Sequence, residues 1–267
     1  MKRVCWSVVW LLGLAWWGTA CEKGGREPRT ARAERRGRPE VESRFRRIAE
    51  TYQRGHFAFR PHQAVKLGHH DFDGRLPDYS RDAVAKELRR LGRARKQLDG
   101  IEPRDLSLRT AVEREVLLAT IRKEVFRLEV MAAPFRDPLY ALPALDLAPY
   151  IARDYQPLAR RAEAVIAIAR GASGYLTRAR DNLPRAMPRP WLELALLRVK
   201  RTIGFVQRDV AAAMGALDSE PKRRLWQALE QLVAALEDHR GFVERRLGTA
   251  TRRFALGQQR LVEMLRE

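Results

Sequence analysis

The side chains placed most densely for chemistry lie in one stretch, LGHHDFDGRLPDYS, from Leu67 to Ser80. His69, His70, Asp71, Asp73 and Asp78 crowd what reads as a loop between two helices. Imidazole and carboxylate groups both ligate metals, so a metal site is the first chemistry to weigh. Adjacent histidines on a short loop rarely converge on one ion. Asp71-x-Asp73-Gly74 resembles the opening of a calcium loop, but the later carboxylates that such a loop needs are missing. The aspartates read better as helix caps and loop hydrogen-bonders, with Gly74 and Pro77 shaping the turn. No metal ligand is assigned. A substrate-facing role stays open for His69, His70, Asp71, Asp73, Gly74 and Arg75.

Other catalytic patterns fail on spacing. A helical zinc hydrolase needs His-Glu-x-x-His, which puts two imidazoles one turn apart and a glutamate beside the water. The chain has five histidines, and none has a partner at that spacing; His239 stands alone in EDHRG. A serine elbow needs Gly-x-Ser-x-Gly on a strand-to-helix turn. Gly171-Ala-Ser173-Gly174 is one residue short and follows a helix. No catalytic residue is assigned.

The elements that would position these residues are helical throughout. Val41, Phe45, Ile48, Ala49 and Tyr52 share one helical face. Ser80 reads as an N-cap and Gly100 as a stop, and Ser107 opens a longer helix with a broad apolar set. Pro134, Pro138, Pro143, Pro149 and Pro157 break the next stretch into short turns, expected to line a depression. A helix from Leu158 is expected to stop at Gly171, with a further one over 174–182. Two more follow, from Trp191 to about Met214 and from Pro221 to about Leu247. No alternating strand pattern or internal repeat stands out. The expected fold class is all-α: an array of antiparallel helices with proline-broken segments.

Ahead of this domain the chain reads as an export and anchoring device. Lys2 and Arg3 precede an apolar run from Val4 to Trp17, which fits a signal peptide and is too short to span a bilayer as a helix. Gly18, Thr19 and Ala20 then lead to Cys21, the arrangement that a lipoprotein signal peptidase cleaves before the cysteine is acylated. Gly18 stands where leucine is usual. Residues 1–20 are thus read as a lipoprotein signal peptide, Cys21 as the lipidation site and 21–40 as a flexible basic tether before a helical domain over 41–267. Glu22, rather than Asp, after the cysteine points to the outer membrane, with the protein facing the periplasm. Cys5 and Cys21 are the only cysteines, so no disulfide framework is available and no free thiol remains for nucleophilic catalysis.

Net charge is +19, and only eight of the 52 basic residues are lysine. A nucleic-acid protein gathers its charge into one stripe with interleaved aromatics. Here arginines are scattered through nearly every segment, often beside glutamate, so nucleic acid is not the expected partner.

The Leu67–Ser80 stretch resembles the bacterial family named domain of unknown function 885 (DUF885). Its members carry Leu-Gly-x-His-Asp/Glu-x-Asp-Gly-Arg-Leu-Pro-Asp-x-Ser near the N-terminus. His70, Asp71, Asp73, Gly74 and Arg75 fit that motif. FRDPLY (135–140), RDYQPL (153–158), NLPRAMPRPWLELAL (182–196) and FALGQQRLVEML (254–265) follow in the family's order. The resemblance implies an all-helical, often lipidated protein grouped with zinc metallopeptidases. Full members are about twice this length, and their zinc motif lies in the second half, so no zinc ligand can be carried over here.

Two functions are therefore expected. One is the N-terminal half of a peptidase-like envelope lipoprotein, inactive alone and completed by a zinc-bearing C-terminal half. The other is a complete non-catalytic module that binds a peptide, cell-wall fragment or partner subunit.

Overall fold

A computed structural model describes residues 36–266, with side chains through Leu265. The signal peptide, Cys21 and most of the tether lie outside the described residues.

Helix α1 (Pro39–Phe59) begins two residues before the expected boundary. Proline at its first position needs no hydrogen-bond donor, and Glu40 and Glu42 sit favourably in the first turn. A short α2 (Pro61–Lys66) follows. Helix α3 (Arg81–Asp99) starts where the Ser80 hydroxyl accepts the Ala83 N–H at 3.2 Å. Helix α4 (Leu108–Val125) starts in the same way, with Ser107 accepting from Thr110 at 3.2 Å. It then widens into a single π-turn, Phe126–Val130. Both serine caps stand where the sequence places them.

These helices run up, down and up. Glu42 at the start of α1 accepts the Ser107 N–H and the Thr110 hydroxyl, each at 2.7 Å, at the start of α4. Arg60, just past the end of α1, meets Glu124 at the end of α4. Helix α3 runs the other way between them. Arg90 reaches the Tyr52 carbonyl at 3.1 Å, and Arg114 reaches the Leu98 carbonyl at 3.0 Å.

The proline-rich segment forms short turns, as expected. They are Ala133–Phe135, Leu142–Leu145 and the five-residue helix α5 (Ala148–Ala152). Helix α6 then runs unbroken from Leu158 to Asn182. The expected stop at Gly171 is not made. A β-carbon at Gly171 would lie 2.8 Å from Leu76 Cδ1, so the glycine admits a neighbour and does not end a helix. Ser173 is an exposed residue within this helix.

Helix α7 (Arg189–Phe205) continues through a second π-turn, Val206–Val210, to Ala213. Helix α8 (Ser219–Leu247) returns along it, and Arg189 at the start of α7 reaches the Leu247 carbonyl at the end of α8. Helix α6 is parallel to α8: Glu163 pairs with Arg224 near their starts, and Arg180 with Asp238 further along. A last helix, α9 (Gln258–Arg266), shows Leu261, Val262, Met264 and Leu265 to solvent.

One continuous core joins both helix groups, from Phe45 and Leu91 through Leu147 and Val165 to Leu232. A smaller cluster of Met187, Leu192, Ala195 and Val243 closes the far end of α7 and α8. The described residues contain no strand, only one bridge between Pro188 and Thr251.

Candidate functional site: the motif loop and the cleft beside it

The motif begins as a helix stop. At the end of α2, Gly68 takes a φ of +88°. Its N–H donates to the Val65 carbonyl at 3.0 Å, and the His69 N–H donates to Ala64 at 2.9 Å. This is a Schellman ending, and it needs a residue that tolerates the left-handed region. The chain then turns sharply through His70–Phe72.

The two histidines part here. His69 is exposed, and its ring lies against Phe57 with centroids 4.6 Å apart. His70 turns inward and stacks on Tyr155, with centroids 3.4 Å apart and planes within 7°. Asp73 joins this pair: one oxygen lies 3.2 Å from His70 Nδ1, and the other accepts the Tyr155 hydroxyl at 2.8 Å. Burial, with the adjoining Asp73 carboxylate, pushes the Tyr155 phenol well above its ordinary pKa. It therefore stays a donor. Asp71 is exposed.

Gly74 is the next fixed point. Its φ is +73°, and its N–H donates to the Tyr150 hydroxyl at 3.2 Å. A β-carbon there would lie 3.1 Å from Ala167 Cβ and 3.3 Å from Ala164 Cα, so the backbone rests against α6. Arg75 covers the Phe72 ring at 5.3 Å. Leu76 follows into the gap left by Gly171. Asp78 accepts the Ser80 N–H at 2.8 Å, and Ser80 then caps α3.

The motif is thus a fastening. It ties the end of α2 and the start of α3 to α6, and to Tyr150 and Tyr155 on either side of the end of α5. Arg153 adds a bond of 3.2 Å to the Lys66 carbonyl.

Beside this fastening lies a cleft of about 450 Å³ between the proline-broken segment and α7. Leu139, Leu142, Leu145 and Phe205 are among its apolar lining. On one rim Lys66 and Asp146 pair with each other at 2.8 Å. On the other, Arg198 and Arg201 are exposed and have no ion-pair partner among the described residues. The expected depression is present; its lining comes from outside the motif loop, which bonds to Tyr150 and Tyr155 just past the Ala148 wall.

The family described as a bacterial protein of unknown function, DUF885, matches residues 61–267. The chain belongs to the DUF885 family. The fold is also similar to that of a protein from Shewanella oneidensis, described as a candidate lipoprotein of unknown function. The TM-score is 0.68 at 17% identity, over 76% of this chain and 38% of that one. This chain therefore matches well under half of that protein's length. No curated protein matches the sequence significantly.

Among the described residues no group of three or more His, Cys, Asp or Glu side chains gathers to hold an ion. The motif shows why: His69 and His70 point to different neighbours, and Asp73 is already shared by His70 and Tyr155. Among the described residues, no helix is long and apolar enough to cross a membrane.

Two features of this DUF885 chain escape a reading of the sequence. The first is a buried charge network. Arg60 is 1% exposed and contacts Glu87 at 3.4 Å and Glu124. Arg90 grips Glu87 with two bonds of 2.7 and 2.8 Å. His56 stands 3.4 Å from Arg60, and burial, followed by the Arg60 charge, lowers its pKa. This network joins α1, α3 and α4 through four charges that cancel. The second is the arginine rim of the cleft. Its signal was present in the apolar text of α7, which puts Leu194 and Leu197 on a side away from the buried Leu192, Ala195 and Val199.

Proposed function

We propose that this protein is a cell-envelope lipoprotein, anchored through Cys21 to the outer membrane and facing the periplasm. Its DUF885 helices hold a ligand in the cleft between the proline-broken segment and α7 and carry no reaction of their own. The observation that carries this reading is the motif loop, where His70 and Asp73 are taken up in bonds with each other and with Tyr155 beside the cleft, and Asp78 in the turn before α3. The N-terminal pattern ending in Cys21 supports the anchor, and so does the description of the Shewanella protein.

In this reading the exposed apolar face of α9 meets a C-terminal half or a partner protein, and any zinc arrives with that surface. Large exposed apolar patches commonly mark such contacts. Nucleic acid is not a partner in this reading, because the basic charge is scattered along the chain rather than gathered into one stripe.

Two measurements test the reading. Membrane fractionation should find the parent in the membrane fraction and Cys21→Ser released; equal partition would remove the anchor. A thermal-shift screen of peptides, cell-wall fragments and amphiphiles should find ligands that raise the melting temperature. Filling the cleft with Ala148→Trp should abolish those shifts. Shifts that survive the substitution would remove the cleft.

A further inference from the structure

The cleft has a polarity of its own. Its floor is hydrocarbon from Leu139, Leu142, Leu145 and Phe205. On the α5 side Lys66 and Asp146, the charged residues lining the cleft there among the described residues, neutralise each other at 2.8 Å. On the α7 side Arg198 and Arg201 lie one helical turn apart, with no carboxylate paired to them among the described residues. Leu194 and Leu197, 43% and 44% exposed, extend an apolar track along α7 beside these arginines. A cavity of this size, apolar with a few placed polar groups, suits a small ligand that carries one charged end.

We infer that the cleft binds a single-chain amphiphile with an anionic head. The head sits between Arg198 and Arg201, and the alkyl chain lies over Leu142 and Phe205. The inference rests on the ligand-cleft reading above and names its ligand class. Guanidinium groups suit both carboxylate and phosphate heads, because their planar N–H donors match two oxygens at once. A neutral amphiphile would fill the same floor but leave the two cations unanswered.

The test is calorimetric titration of the full chain carrying Cys21→Ser, so that its own acyl groups do not compete. The probes are dodecanoate, dodecyl phosphate and dodecyl maltoside, each below its micelle concentration. Both anions should bind about tenfold or more tightly than the neutral probe, the size of one charge-assisted contact. The tighter anion names the head group. The R198Q/R201Q double variant should erase the preference. Charge reversal in R198E/R201E should transfer it to dodecylammonium. These arginines are exposed, so the variants should fold. Equal binding of neutral and anionic probes by the parent would overturn the inference, as would an anion preference that survives R198Q/R201Q. Should other ligands protect the protein and lose that protection in Ala148→Trp while the anionic probes do nothing, the inference falls and the cleft stands. Should Ala148→Trp change no binding at all, both fall.

Discussion

His70 lies flat on Tyr155, ring centroids 3.4 Å apart, and both side chains hold the same Asp73 carboxylate. Within the motif, His70 and Asp73 are thereby tied to Tyr155 in the segment after α5. An Asp73 bound on both oxygens, one of them to a phenol, is satisfied and sheltered. A general base would need to reach a substrate proton, and a metal ligand would need to share its ion with other donors. Neither arrangement is formed around Asp73.

The two glycines that receive the motif should respond differently to alanine. At Gly74 the φ of +73° and the backbone contact with Ala164 leave no relief, so Gly74→Ala should cost about 1–3 kcal/mol. At Gly171 the obstacle is only the tip of Leu76, which can rotate. A helical alanine also gains up to about 1 kcal/mol over glycine, so Gly171→Ala should lie near neutral. Urea unfolding of the two variants checks the order.

Breaking the buried charge network should destabilise strongly. Arg60→Met strands Glu124 and removes one partner of Glu87, which costs on the order of 3 kcal/mol or more. Adding Glu124→Leu removes the stranded carboxylate and should recover part of the loss. A double variant no more stable than Arg60→Met would show that the cost lies in packing alone.

Acid should loosen the fold through its buried histidines. Burial, aided by the Arg180 charge, pulls His239 down to about 4, and neither ring nitrogen has a protein partner. Burial lowers His62 to about 4 as well. A depressed histidine pKa means that the unfolded chain binds the proton first. Stability is therefore full above about 6.5 and falls as pH drops toward 4. For His239 the loss is on the order of 3 kcal/mol. His239→Leu should remove about half of the fall in melting temperature between pH 7 and pH 5, leaving the share of His62, read by circular dichroism.

The sequence was most legible where a single residue does the work. Ser80 and Ser107 cap helices through their own hydroxyls, and the prolines break helices by their own geometry. It was ambiguous where two physical demands select the same residue. Glycine serves a helix stop and a close approach equally well, and only Leu76 against Gly171 decides between them. It was silent where partners lie far apart. Tyr155 stands in the RDYQPL segment that resembles the family, but nothing in that segment pairs it with Asp73, 82 residues earlier. The charges of Arg60, Glu87 and Glu124 look like ordinary solvated helix residues until three helices bring them together.

The central claim is that the motif fastens the segment just past the cleft wall. Amide hydrogen exchange in Asp73→Ala against the parent tests it most directly, because exchange reports local opening. Exchange should be faster at residues 148–156, with α1 and α3 unchanged. Unaltered exchange over 148–156 in a folded Asp73→Ala protein would contradict it.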